Sequence, residues 1–171
     1  MVRIERKEED LPVILEIVED TVAIMDSNGN DQWTDEYPVA KDFIDDIESE
    51  NLYVAVNEQD KPIGMITVDQ EQAEEYEGVK EWRKDVTRPF VFHRIAVDLS
   101  TRGAGIASKL IAHAEHVAKE AGVYYMRTDT YIKNKKAQKL FEKNGYKKVG
   151  MIPTLLGKDH PFYAYDKLLD E

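Results

Sequence analysis

Residues 91–110 read VFHRIAVDLSTRGAGIASKL, and the succession of residue types in them decides the fold. Val91, Phe92, Ile95, Ala96 and Val97 form an apolar run that reads as a strand. A polar turn carrying Arg102, Gly103 and Gly105 follows, and a helical stripe opens at Ile106. Glycines let a ligand approach the backbone closely, and the first N–H groups of a helix have no intrahelical partners. Strand, glycine turn and helix start together favour a bound anion, with a phosphate as the first candidate.

Downstream, Ile106, Leu110, Ile111, Ala114, Val117 and Ala118 recur at helical spacing up to Ala121 and Gly122, and residues 123–130, VYYMRTDT, read as a strand. A strand, a helix and a strand in succession imply a parallel pair. Residues 134–144 form a shorter helix with Ala137, Leu140 and Phe141 inward; residues 146–152 and 162–168 read as two last strands joined by 153–161. Upstream, residues 2–6 alternate as a strand does. Asp10 and Pro12 open a helix carrying Leu11, Ile14, Leu15, Val18, Val22 and Met25, which ends at Gly29. A second helix from near Pro38 is expected to bury Val39, Phe43, Ile44 and Ile47. Residues 52–56 and 63–68 read as an antiparallel hairpin, and residues 71–88, charged and with little periodicity, as a long loop, with room for some helix, that borders the site or is poorly ordered. The predicted order is β α α β β β α β α β β: a mixed sheet with helices on both faces, hence α/β or α+β.

At 171 residues and 42% hydrophobic, the chain is expected to form a single domain, residues 1–171. The opening MVRIERKEED has no apolar stretch behind its charges, so neither a signal peptide nor a membrane anchor is expected, and a cytoplasmic location follows. Cysteine is absent, which excludes disulfides and thiolate catalysis. The net charge of −11 argues against nucleic acid. That charge is unevenly spread, with 10 basic and 26 acidic side chains in residues 1–98 against 13 and 8 in residues 99–171. An anionic cofactor on the basic half and a cationic co-substrate near the acidic half fit that asymmetry.

The glycine turn allows two identities. GAGIAS at 103–108 nearly satisfies the dinucleotide fingerprint GxGxxG, with Asp129 near the end of the next strand as ribose-binding acid, although Ser108 replaces the third glycine. Alternatively, Arg102, Gly105 and Ala107 give RxxGxA directly after a strand, which resembles the acetyl-CoA pyrophosphate loop of the GNAT N-acetyltransferase superfamily. NKKAQKLFEKNGY at 134–146 resembles that superfamily's later helix, with its Asn, its Ala, its apolar-aromatic pair and its closing Gly-aromatic. HRIAVD before the loop resembles a bacterial subgroup of unassigned substrate. The resemblance implies a mostly antiparallel twisted sheet with a central parallel pair, and acetyl transfer from acetyl-CoA to a primary amine of a small molecule or peptide. It also implies that Arg102, Gly103, Ala104, Gly105, Ile106 and Ala107 hold the pyrophosphate. Ile95, Ala96 and Val97 would pair with the pantetheine arm, Asn134 would hydrogen-bond that arm, and Phe141 would line its channel. Asn134 also reads as a plain helix cap.

Acetyl transfer needs a neutral amine, hence a base, and a donor for the leaving thiolate. His93 is the one group on the central strand that titrates near neutrality, and some superfamily members place a histidine there as base; a hydrogen-bonded structural histidine is the alternative. Arg94 points the other way and is expected to bind a carboxylate or an acidic neighbour. The superfamily often has a tyrosine acid at the position of Phe141, and phenylalanine cannot donate a proton. Tyr131 is the nearest replacement, with Tyr163 and Tyr165 as alternatives. Trp33 and Tyr37, read as exposed aromatics between two helices, suggest a substrate lid, though Trp33 also fits a plug at the core edge. The stretch 76–82 is expected to face the acceptor. His113 and His116 sit three apart on the polar face of a helix without a third ligand, which reads as a solvated face, so no metal is expected. Lys133, Lys135, Lys136, Lys139, Lys143, Lys147 and Lys148 form a basic run that reads mostly as a solvated face, one or two of them meeting the cofactor's ribose phosphate or an acidic macromolecule. No nucleic acid or membrane partner is expected. The strand at 162–168 could pair within or between chains, which leaves a homodimer open. A catalytically weak acyl-CoA-binding module and a dinucleotide oxidoreductase remain as other classes.

Overall fold

The computed structural model describes residues 2–4, 8–101 and 103–170. In chain order the elements are β1 (Val2–Ile4), α1 (Leu11–Ser27), α2 (Ala40–Glu48), β2 (Leu52–Val56), β3 (Pro62–Asp69), β4 (Phe90–Val97), α3 (Ile106–Glu120), β5 (Tyr125–Tyr131), α4 (Lys135–Lys143), β6 (Lys147–Ile152) and β7 (Phe162–Leu168). This is the predicted order, element for element. Of the strand expected over 2–6, residues 5 and 6 lie outside the described residues, and the strand expected from 123 begins two residues later, at Tyr125. The β4–β5 ladder is parallel, whereas β1–β2, β2–β3, β5–β7 and β6–β7 are antiparallel. The sheet is therefore mixed and mostly antiparallel. Two compact units divide the chain, Met1–Val68 with His93–Ala114, and Asp69–Phe92 with Glu115–Glu171.

In the first unit the strands run in the order β1-β2-β3-β4. The apolar stripe of α1 buries Ile14, Ile17 and Val18 in one cluster with Phe43 and Ile47 of α2, Leu52, Val54 and Val56 of β2, Met65 and Ala96. Asp10 makes no side-chain capping bond, which corrects the expected cap. The 3-10 turn Glu8–Asp10 leads into α1 and leaves Asp10 at φ −86°, ψ −6°, helical rather than the extended backbone that a capping side chain needs. At α2 the Asp42 carboxylate accepts the Val39 N–H at 2.8 Å. Val39, expected inside, is 40% exposed because it precedes the helix and lies off its buried face.

Successive residues of β3 point to opposite faces. Met65 enters the α1–α2 cluster, and Gly64 faces α3. A Cβ at Gly64 would lie 3.2 Å from the Ala96 carbonyl oxygen and 3.2 Å from both Ile106 Cγ2 and Leu110 Cδ1. Helices thus cover both faces of this unit, and the missing side chain lets the first turns of α3 sit directly on the sheet.

In the second unit the order is β4-β5-β7-β6. Phe90 and Val91 pair with Met126 and Arg127, and all of β5 pairs with β7, from Tyr125↔Leu168 to Tyr131↔Phe162. One face buries Tyr76, Val79, Val91, Tyr131, Ile152, Leu155, Phe162 and Ala164. On the other, Phe141 of α4 sets its ring nearly perpendicular to Phe92 at 5.3 Å and to Tyr165 at 5.4 Å.

The segment 71–88 is a long loop with one helical turn, Glu74–Gly78, and it is anchored along its length. Trp82 Nε1 donates to the Tyr76 carbonyl at 3.0 Å, and the Tyr76 hydroxyl donates to Asp129. Arg83 donates from its backbone N–H and its Nε to the two oxygens of the fully buried Asp166 carboxylate, at 2.9 and 2.6 Å. Arg127 stacks its guanidinium 4.3 Å over the Trp82 ring and donates to Gln72 and to the Lys84 carbonyl.

Gly64→Ala is expected to destabilise the protein by about 1–3 kcal/mol, since one of the atoms it meets is backbone and cannot rotate away. Urea unfolding of the two proteins side by side measures this.

Candidate active site

The expected phosphate turn belongs wholly to the first unit. The Asp98 N–H donates to the Ile63 carbonyl at 2.8 Å, carrying the strand on by one residue. The chain then reverses tightly. Asp98 Oδ1 accepts the backbone N–H and the hydroxyl of Ser100, both at 2.9 Å, while the Asp98 carbonyl accepts the N–H of Thr101 at 3.1 Å and its hydroxyl at 2.9 Å. Gly103 and Gly105 follow at φ +87° and +75°, conformations that side chains rarely adopt. Both glycines and Ala104 are exposed, and open space lies where a Cβ would stand on either glycine. Ile106 and Ala107, half-buried, begin α3, whose first-turn N–H groups have no acceptor within the helix by its geometry. Arg102 lies outside the described residues.

On β4, His93 is half-buried and Arg94 is left-handed at φ +48°. The Arg94 guanidinium grips Asp46 of α2, Nε to Oδ2 at 2.8 Å and Nη2 to Oδ1 at 2.7 Å, and donates from Nη1 to the Tyr37 hydroxyl at 2.9 Å. Asp46 Oδ2 also accepts the Thr67 hydroxyl at 2.7 Å. The carboxylate expected for Arg94 is thus an internal one. An acid three residues after Phe43 and next to Ile47, on the apolar stripe of α2, was the sequence signal for it. The aromatic pair divides. Tyr37 is half-buried and bonded to Arg94, whereas Trp33, 6% exposed, belongs to the α1–α2 core rather than to an exposed lid.

The remaining candidates belong to the second unit. Asn134 caps α4, its Oδ1 accepting the Ala137 N–H at 3.1 Å. Phe141 is buried among Phe92, Tyr146 and Tyr165. Tyr131 is fully buried by its ring, which lies 4.9 Å from that of Phe162, and its hydroxyl is 3.4 Å from His160 Nδ1. Burial pushes the Tyr165 phenol up to about 12, and its hydroxyl has no hydrogen-bond partner. All seven lysines of the basic run are exposed, with Lys148 Nζ 4.1 Å over the Tyr163 ring. His113 departs from the expected solvated face; it is half-buried against the Tyr53 ring at 4.8 Å.

The Acetyltransferase (GNAT) family model matches residues 16–146. The chain belongs to that family. A GNAT-family acetyltransferase from Streptococcus agalactiae is 27% identical, with a TM-score of 0.86 over 100% of this chain and 96% of that one. A Staphylococcus aureus protein named only provisionally as an acetyltransferase is 35% identical, with a TM-score of 0.76 over 99% of each chain. A ribosomal-protein-alanine N-acetyltransferase from Brucella melitensis shares the fold at 20% identity, TM-score 0.70, over 99% of each chain. No curated protein matches the chain.

As a GNAT acetyltransferase the chain has no use for the dinucleotide reading of its glycines. Asp129, the acid that reading assigned to a ribose, accepts the Tyr76 hydroxyl. Among the described residues no group of three or more His, Cys, Asp or Glu could hold a metal ion, and no helix is long and apolar enough to cross a membrane.

Two of the acetyltransferase's buried phenols make its alkaline behaviour checkable. Burial is the chief cause holding both Tyr125 and Tyr165 up at about 12. An unfolded tyrosine titrates near 10, so between about pH 10 and 12 the folded protein keeps protons that the unfolded chain releases. The stability these phenols contribute is complete below about pH 10 and declines as the pH rises towards 12. Tyrosinate absorbance at 295 nm is therefore expected to rise in two steps, the later one together with loss of the circular dichroism signal. A single early step would contradict the burial of these hydroxyls.

Proposed function

We propose that this acetyltransferase moves an acetyl group from acetyl-CoA to the primary amine of a small molecule or peptide, and that residues 1–171 act as one acyltransferase domain. The observation that carries the proposal is the run within the first unit from His93 on β4, through the Asp98-pinned turn, to Gly103, Gly105 and the start of α3. Two exposed glycines at positive φ, with open space in place of Cβ atoms, suit the close approach of a diphosphate to backbone N–H groups. In this proposal Gly103, Ala104, Gly105, Ile106 and Ala107, with Arg102 before them, receive the pyrophosphate. The backbone of Ile95, Ala96 and Val97 pairs with the amides of the pantetheine arm. Asn134 has a role besides its cap, as a partner of that arm, and Phe141 supplies apolar lining.

Acetyl-CoA supplies the thioester to be attacked. His93 takes the ammonium proton so that the amine lone pair can attack the thioester carbonyl; the C–S bond then breaks, the thiolate takes a proton from a donor, and the nitrogen's surplus proton passes to that donor to restore it as the amide forms. Tyr131 is the proposed donor, its hydroxyl standing beside an imidazole nitrogen of His160. The net acidity of residues 1–98 favours a cationic acceptor.

Acetyl-CoA and free CoA are expected to raise the melting temperature, and NADH to leave it unchanged. His93→Ala is expected to lower kcat by about 10²–10⁴ throughout pH 6 to 9. Turnover unchanged across that range would remove His93 as the base. Binding of acetyl-CoA without turnover of any amine would favour an acyl-CoA-binding module, which the missing phenol at Phe141 would then explain.

A further inference from the structure

We infer that Asp46 and Tyr37 are positioning residues for acetyl transfer: acting through Arg94, they hold the left-handed turn of β4 that sets His93 on one side and the backbone of Ile95–Val97 on the other. This rests on the proposed function and extends it to three residues that need not touch either substrate.

Arg94 is a large residue at φ +48° inside a strand, a conformation that suits glycine and is costly for a residue with a Cβ. It persists only where the surroundings over-determine it, and such outliers gather at functional sites. The over-determination is explicit here. Nε and Nη2 of Arg94 form a two-pronged grip on the two oxygens of Asp46, and Nη1 is held by the Tyr37 hydroxyl. Asp46 is in turn fixed by the Thr67 hydroxyl of β3. Its carboxylate is 8% exposed and the Arg94 side chain 17%, so each charge would be poorly solvated without the other. A planar guanidinium bound on three of its nitrogens cannot follow its backbone into a regular extended strand.

The turn also falls where it matters for the proposed chemistry. Side chains alternate along a regular strand, and a left-handed residue interrupts that alternation. Residues on either side of Arg94 are thereby re-aimed relative to one another. His93 precedes it directly, and Ile95, Ala96 and Val97 follow it. Were only a bend required, glycine would supply it without a buried ion pair. A residue with a Cβ, by contrast, keeps this turn only while the pair holds it.

A pair of double variants tests this. Asp46→Asn/Arg94→Ala and Asp46→Asn/Arg94→Gly both remove the ion pair without stranding a charge, and they differ chiefly in whether residue 94 tolerates positive φ. Acetyl-CoA affinity by calorimetry, kcat on the best amine and melting temperature are measured for each. The alanine double is expected to lose about tenfold or more in acetyl-CoA affinity and in kcat, the glycine double to stay within about threefold of the wild type, and the two melting temperatures to be similar. Tyr37→Phe keeps the ion pair and so guards against simple failure to fold; it is expected to lower kcat while leaving the melting temperature nearly unchanged. Equal losses in both doubles would overturn the inference by reducing the network to a structural role, and no loss in either would overturn it by showing that the turn needs no clamp. An unchanged kcat in Tyr37→Phe would remove Tyr37. Failure of the wild-type protein to bind acetyl-CoA would instead overturn the proposed function, and this inference with it.

Discussion

The first unit depends on how closely β3, β4 and α3 approach one another at Gly64. A single absent side chain brings the Ala96 carbonyl and the side chains of Ile106 and Leu110 to the same point. On the opposite face the same strands carry Met65 and Ala96 into the core shared with α1 and α2. The approach fixes where α3 starts, and with it the direction of the exposed glycine turn that precedes it. Backbone contacts at this range leave little compliance, because protein interiors are packed to near-crystalline density.

The buried Asp46–Arg94 pair is a different kind of constraint. Removing two charges from water offsets much of their attraction, so such a pair is a weak source of net stability and a strong source of geometric definition. That is consistent with its position beside a strained strand residue. The second unit uses the same device at larger scale. Asp166, fully buried, accepts the Tyr125 hydroxyl at 2.8 Å as well as the two donors of Arg83. Arg127 then ties the following stretch through Trp82, Gln72 and the Lys84 carbonyl.

The regular elements were legible because burial leaves a pattern: a period of 3.6 in α1, α3 and α4, and short β-branched apolar runs in β2 and β3, which are buried along nearly their whole length. The strand, turn and helix around Gly103 and Gly105 were legible for a second reason, since positive φ leaves glycine as its trace. What escaped carries no period. Trp33 and Tyr37 stand in one loop, and only tertiary packing sends one into the core and the other to Arg94. Residues 71–88 read as a long loop because their anchors to Asp129 and Asp166, 53 residues beyond Tyr76 and 83 beyond Arg83, leave no periodic trace. Asp46 shows the same limit within a helix. Its place on the apolar stripe was visible, but its partner lies 48 residues away on another element.

Asp166 follows Arg83 by 83 residues, and its role as anchor has a consequence for the order in which the protein can form during synthesis. The first unit is complete once residue 114 has been made, so its core can close while the rest of the chain is still being translated. The stretch around Arg83, made much earlier than β7, has its counter-charge only once β7 has left the ribosome. Until then one arginine and the Tyr125 hydroxyl wait for the same carboxylate, and the second unit closes after the first.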